Sequence, residues 1–494
     1  MKLLFHSPLR QLVSLLPGAV LSLLLLASCK DTLVEAPKSL AAETFYNTAS
    51  EVEAATNAIY AALRLDGAMK SLYPIQQETY SELIFGRGSY GPLNDHTGLD
   101  NTNVTRVGQM WDAFYLAIRN ANLVIENAPK GTSLTTADKN RYVAEARFLR
   151  AYTYFQLVRN WGPVPLRTEA NMLEPNIKRS PVEPIYQLIQ EDLAFAETNL
   201  PDKAAQSGRP TRWSAKTLLA DVLLQLGKYA DVVTKTDEVI KSGRYSLFQV
   251  KTSEDFLGLY GPDVVTTPEE VWYLKFSRAN NEGWTMVMFA HHPGARYHGA
   301  GGFFGHYTDP TLNKSVAAWD DKDLRKAYNL YNWNIGLGTT SYLNRKYRDP
   351  IATNQNGAAN DFPVYRYADV LMMYAEASAR VANGPTAATL EALNQVRRRA
   401  YGLPSGTPSA VDYKLADYPN LPSFMDALIK ERGWETMYEA KRWLELKRLG
   451  IAKQYIKAAE GKDVADKFLL WPIPVSELNY NTALDPTKDQ NPGY

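Results

Sequence analysis

The sequence predicts a mainly α protein of stacked helix pairs, with irregular, loop-rich regions and little β structure. Three observations carry that expectation. Apolar residues recur at helical spacing along much of the 494-residue chain. Successive helical patterns are joined by short turns carrying Gly or Pro. Two stretches, residues 86–108 and 260–350, are irregular and rich in Gly and Asn, with Asp in the first and aromatic residues in the second. Long irregular segments inside a compact protein usually carry function or move.

Taken in order, Val52, Ala55, Ile59, Ala62 and Leu63 form the stripe of a first helix, with Ser50 as its expected cap and Glu53 completing a capping box. A second helix is expected from about Gln109 to Asn127, bearing Trp111, Tyr115, Ile118, Leu123 and Ile125. Residues 144–160 are apolar nearly all round, which predicts a helix buried among others. Gly162 suits its C-terminus, and Pro163 and Pro165 forbid continuation. Ile185, Leu188, Ile189, Leu193 and Ala196 line one face of a helix over 181–199. From Arg209 onward, Ala220 and the Leu226-Gly-Lys-Tyr229 turn fit the tetratricopeptide pattern, with Tyr229 expected to pack back on the preceding helix. A further pair spans residues 365–400, broken at Gly384-Pro385.

The N-terminus reads as a lipoprotein leader. Lys2 and Arg10 precede an apolar run from Leu12 to Ala27, which Pro17-Gly18 interrupts and so makes a poor membrane span. The run closes as Leu26-Ala27-Ser28-Cys29, a lipobox-like string, and Cys29 is the sole cysteine. A lone exported thiol has no internal disulfide partner, and lipidation gives it a role. The expected organisation is a signal peptide over 1–28 and a membrane-proximal spacer over 29–44. Removing residues 1–28 takes away two cations and no acid, leaving 52 Lys and Arg against 53 Asp and Glu. That balance offers no basic excess for nucleic acid and no polybasic stripe for anionic lipid.

Several strings agree in order along most of the remaining chain. They are Ala144 to Leu166, Arg209-Pro-Thr-Arg-Trp213, Pro363-Val-Tyr-Arg-Tyr-Ala-Asp-Val-Leu371, Glu431 to Arg448, Leu470-Trp-Pro-Ile-Pro-Val-Ser-Glu-Leu478 and Gln490-Asn-Pro-Gly-Tyr494. Together they resemble the SusD/RagB family, lipid-anchored nutrient-binding proteins of the Bacteroidota outer membrane. Glu431–Arg448 looks like the family's acidic-basic helix, with Gly433, Ala440 and Glu445 where Arg, Gly and Asp are commoner. The resemblance implies a SusD-like fold, with an N-terminal helical-repeat part over 45–250 and a C-terminal RagB/SusD part over 251–494 in one compact unit. It also implies a cell-surface, outer-membrane location and a SusC-like TonB-dependent transporter as partner.

No enzyme motif holds. Gly86-Arg-Gly-Ser-Tyr-Gly91 has dinucleotide-loop spacing, but Pro92, Asn94 and Asp95 continue a loop where a helix should open. No catalytic residue, cofactor or metal site is assigned. His291, His292, His298 and His306 cluster without the spacing of a zinc motif. The residues left to carry function are those of a sugar platform, where rings stack on C–H faces and amides or carboxylates bond hydroxyls. Candidates are Tyr90, Asn94, Asp95 and His96 in the first irregular stretch, and Trp284, Tyr297, Phe303, Phe304, Tyr307 and Trp319 in the second. The expected ligand is an oligosaccharide. Peptide capture on the same architecture and a helical-repeat scaffold for protein partners are the alternatives.

Overall fold

Helices carry the fold of the computed structural model, which describes residues 45–494 apart from Asn280. The expected leader, Cys29 and the spacer to residue 44 lie outside the described residues. In α1 (Ala49–Leu63) the cap is Thr48 rather than Ser50. Thr48 Oγ1 accepts the Glu51 N–H, and the Glu51 carboxylate accepts the Thr48 N–H at 2.8 Å. Glu53, the expected box partner, instead pairs with Arg209. After α2 (Leu72–Thr79) comes α3 (Asn101–Asn127). Asp100 Oδ1 accepts the Asn103 N–H at 2.9 Å and starts this helix well before the expected residue 109. Residues 101–108 are therefore helix, not loop.

The long α4 (Thr136–Trp161) is buried from Tyr142 to Trp161 except at Arg147 and Arg159. Its one fully buried cation, Arg150, is neutralised by Asp192 through paired bonds of 2.8 and 2.9 Å. A charge this deep is tolerated only with such a partner. Gly162 takes φ 72° and its N–H closes the helix on Val158 O at 3.1 Å.

Neighbours then stack in sequence: α5 (Val182–Asn199), α6 (Arg212–Gln225) and α7 (Tyr229–Lys241), with Gly227 at φ 70° in the α6–α7 turn. The next layer against α7 is α8 (Tyr367–Val381), whose Arg380 lies 5.0 Å from the centre of the Tyr229 ring. The stack continues with α9 (Ala387–Ala400) and α10 (Leu421–Glu435). Residues 242–366 are thus an insertion between two helices that pack together. Its neck is an antiparallel pair, β4 (Glu270–Leu274) against β8 (Phe362–Arg366). The other strands are shorter still: β1 (Phe85–Gly86) pairs with β5 (His306–Tyr307), β2 (Val164–Pro165) with β3 (Arg179–Ser180), and β6 (Leu330–Asn332) with β7 (Tyr342–Asn344). The fold is mainly α, and residues 47–494 form one compact unit. No helix among the described residues is long and apolar enough to cross a membrane.

The acidic-basic segment is not one helix. After α10, residues 436–441 turn, with Tyr438 at φ 64° and Ala440 at φ 58°, before α11 (Arg442–Arg448) and α12 (Ala452–Glu460). Glu435 and Glu439, on either side of the start of this turn, both reach one buried guanidinium, that of Arg366, at 2.7 Å each. Arg366 also meets Glu269 at 3.0 Å, Arg325 meets Glu435 at 2.9 Å, and Lys346 meets Glu439 at 2.6 Å. All of these side chains are buried. The network ties the insertion, through Glu269, Arg325, Lys346 and Arg366, to α10 and the turn after it, through Glu435 and Glu439.

Candidate functional site

Two irregular stretches distant in sequence meet at the β1–β5 pair, where Phe85 faces Tyr307 and Gly86 faces His306. The join continues as the Arg87 N–H donates to Gly305 O at 2.7 Å and Arg87 Nη1 donates to Phe304 O at 3.1 Å. Residues 303–305 in turn run beside 288–291. The N–H groups of Phe303, Phe304 and Gly305 donate to Met288 O, His291 O and Phe289 O at 2.8–2.9 Å. Gly302 permits that approach, because a Cβ there would lie 1.9 Å from His291 O. Phe304 is held at φ 41°, a strained value for a bulky side chain and one that these flanking bonds impose.

This framework presents a run of aromatic rings. Phe303 is 54% exposed, and its ring centre lies 5.2 Å from that of half-buried Phe289. The His292 ring lies between Phe304 at 4.7 Å and Trp333 at 4.9 Å. Tyr331 is 6.2 Å from Trp333 and 5.0 Å from Tyr297. Phe304, His292, Trp333, Tyr331 and Tyr297 are all half-buried, so each ring is anchored yet partly open to solvent. Several bonds fix the geometry. Tyr331 Oη accepts the His292 N–H at 3.2 Å, Ser341 Oγ donates to Trp333 O at 2.6 Å, and the Arg87 guanidinium sits 4.2 Å from the Phe304 ring centre. Rings held this way lose little freedom on stacking against a flat ligand.

The expected site residues divide. Tyr297, Phe303 and Tyr307 reach the surface beside or within this run, and Asp95 is exposed. Trp284 and Trp319, expected to offer the largest planar faces, are core residues at 0% and 2% exposure. Trp284 Nε1 donates to Met69 O at 3.0 Å, and its ring meets Tyr347 edge-on at 4.7 Å. Trp319 Nε1 donates to Asp323 Oδ2 at 2.9 Å. Both indoles have found polar and apolar partners within the fold, so neither presents a face to a ligand.

Three candidates from the first stretch are buried as well. Tyr90 supports the run from inside, edge-on to Phe289 at 5.5 Å and capped by the Arg106 guanidinium at 3.7 Å. Asn94 is a structural clasp: its Oδ1 accepts the Gly86 N–H at 2.6 Å, and its Nδ2 donates to Thr79 O at 2.9 Å. His96 packs between Trp443 and Phe468, where burial, aided by nearby Lys462, pushes its pKa down to about 3.

The clustered histidines have separate roles. His291 bonds Tyr347 O at 2.7 Å, and His306 bonds Thr79 Oγ1 at 2.8 Å and Tyr438 Oη at 3.1 Å. Burial pushes the pKa of both down to about 3. Among the described residues, no three His, Cys, Asp or Glu side chains are grouped to hold a metal ion.

Phe289, Tyr331 and Trp333 were missed. The latter two stand close together in the string Tyr331-Asn-Trp-Asn334, where Tyr331 lies in β6 and Trp333 follows it with its N–H bonded to Ser341 O at 3.1 Å.

The chain is similar to known proteins along most of its length. Residues 279–494 match the family model of the SusD family, and residues 37–224 match a model described as starch-binding, associating with the outer membrane. SusD-like protein P2 of Formosa agariphila is 26% identical over 96% of this chain and 98% of its own. A SusD homolog from Bacteroides thetaiotaomicron superposes with a TM-score of 0.77 at 24% identity, covering 92% of this chain and 98% of that one. A laminarin-binding SusD-like protein does so with a TM-score of 0.71 at 23% identity, covering 91% and 100%. At these identities the two structures establish a shared fold.

Proposed function

Because the chain belongs to the SusD/RagB family, we propose that it is a glycan-binding protein of the outer membrane whose aromatic run from Phe303 to Trp333 grips the ligand. The observation that carries this reading is the half-open state of those rings on a framework joined to the helical stack. Stacking on a sugar needs an open face, and affinity needs that face pre-organised. The laminarin-binding relative and the starch-binding family description support the same ligand class. In this reading the protein binds and does no chemistry. Cys29 carries its lipid anchor, and the loaded protein passes the glycan to a SusC-like TonB-dependent transporter. Anchoring and transfer follow from the family and from the Leu-Ala-Ser-Cys string rather than from the ring geometry.

Trp333 is the ring to remove. Trp333→Ala should cost roughly tenfold or more in glycan affinity, about 1.4 kcal/mol, with helical circular dichroism and melting unchanged. Trp284→Ala should instead lower the melting temperature. Unaltered glycan binding by Trp333→Ala would move the site elsewhere. Binding of peptides and of no glycan would replace sugar capture with peptide capture. For the anchor, Cys29→Ala should release the protein from membrane fractions of cells lacking the transporter, and continued co-sedimentation there would refute it.

A further inference from the structure

A second groove lies between α10, α12 and residues 314–318, apart from the aromatic run, with a volume of about 290 Å³. That is near the lower end of the roughly 300–1,000 Å³ usual for small-ligand sites. Two half-buried rings line it, Trp434 from α10 and Tyr455 from α12. Trp434 has a fixed backing: it stacks on buried Trp319 with planes 7° apart and centres 5.9 Å apart, and Trp319 is itself pinned through Asp323.

Glu82, also lining the groove, is fully buried. Its Oε1 accepts from Arg442 Nε at 2.9 Å, while its Oε2 has no hydrogen-bond partner among the described residues. A buried carboxylate oxygen left unbonded is costly, and a ligand hydroxyl would satisfy it. The exposed side chains of Lys314, Asp426, Lys430 and Gln454 add two cations, one acid and one amide to the lining. Hydroxyls, which both donate and accept, find partners throughout that mixture.

We propose that this groove is a second saccharide site, where Trp434 and Tyr455 flank a neutral hexose ring and Glu82 Oε2, Asp426, Lys430 and Gln454 bond its hydroxyls. The inference rests on the glycan reading above for its ligand class but uses none of the residues of the aromatic run. Leu83 lines the groove, and Phe85, two residues on, pairs with Tyr307. The groove therefore adjoins the strand that carries the first site. Two modest sites on one molecule hold a long chain more tightly than either alone, through effective concentration.

The test is isothermal titration of purified protein with laminarihexaose and with maltoheptaose. Wild type, Trp434→Ala, Tyr455→Ala and Trp333→Ala are compared after circular dichroism and melting have verified each fold. Tyr455→Ala guards against a Trp434→Ala protein that loses the Trp319 stack and unfolds. The expected result is two sites in wild type for at least one probe. Either groove variant should lose one of them by tenfold or more, and Trp333→Ala should lose the other. If folded Tyr455→Ala binds both probes as wild type does, the groove is not a saccharide site, and loss in Trp333→Ala alone would leave the first site standing. If Trp333→Ala binds normally and the groove variants do not, the groove stands and the first site falls. Failure of both probes to bind wild type would overturn both as neutral-glucan sites.

Discussion

Ala440 holds φ at 58°, a region that costs a residue with a Cβ about 1–2 kcal/mol. It is held there by the α10–α11 turn, where its N–H donates to buried Glu78 Oε1 at 2.6 Å. Ala440→Gly should therefore stabilise the protein by about 1 kcal/mol, the relief being partly offset by the greater freedom of glycine in the unfolded chain. A urea midpoint that fails to rise would show the alanine to be unstrained. At this same scale the candidate site was only partly legible. The two irregular stretches did supply the surface, and Tyr297, Phe303 and Tyr307 are on it. Yet a ring in a Gly-rich stretch is core or surface according to partners remote in sequence. Trp284 is claimed by Met69 O and Tyr347. Trp333 is left open because it follows a short strand whose tip Ser341 ties back on itself. Size and loop context favour Trp284 and Trp319 over Trp333, and burial by partners remote in sequence reverses that order.

Among the elements, α4 has the most to lose from a single truncation. Phe148 is fully buried, and its ring meets Trp272 of β4 edge-on at 4.7 Å, so it joins the central helix to the neck of the insertion. Phe148→Ala should leave a cavity and cost about 3–5 kcal/mol. A thermal melt unchanged within error would refute that packing. Helix periodicity made α4 and the α6–α7 pair readable in advance, because a core stripe repeats over many residues. Helix starts were less readable. Thr48 and Ser50 both stand three residues before a Glu, and the structure uses the first. The break at 436–441 was hidden for a different reason: Glu431, Glu435 and Glu439 recur every four residues, as on one helix face. Arg366 and Lys346 favour the turn, since they also donate to the main-chain carbonyls of Glu435 at 3.2 Å and Met437 at 2.9 Å, which a continuing helix would use itself.

For the molecule as a whole, these buried charges set a pH profile. Burial opposes the charge on Glu376, but Arg448, bonded at 2.7 and 2.8 Å, and Arg432 overcome it and hold the carboxyl down to about 2. Glu439, equally buried, is held down to about 2 by Arg366, Lys346 and Lys441. Both would take a proton near 4.5 when unfolded, so the stability they contribute is complete above that pH and is lost as pH falls towards 2. Burial also holds His96, His291 and His306 neutral down to about 3, against 6.5 when unfolded. Their contribution is lost as pH falls from 6.5. Glu78 and Glu460 act in the opposite sense, because burial raises both to about 7 and their contribution is lost as pH rises from 4.5. Between 4.5 and 6.5 these histidines, joined by His298, whose pKa burial also lowers, outweigh the two glutamates, so acidification should lower the melting temperature gently. Below 4.5 that opposition ends and the paired carboxylates add to the loss, so the fall should steepen. Because Glu439 and its partners tie Lys346 of the insertion to the helical stack, glycan binding should fail in the same steep step. A melting temperature flat from pH 6 to pH 3, or binding lost well above the steep step, would show that the buried network does not govern the aromatic surface.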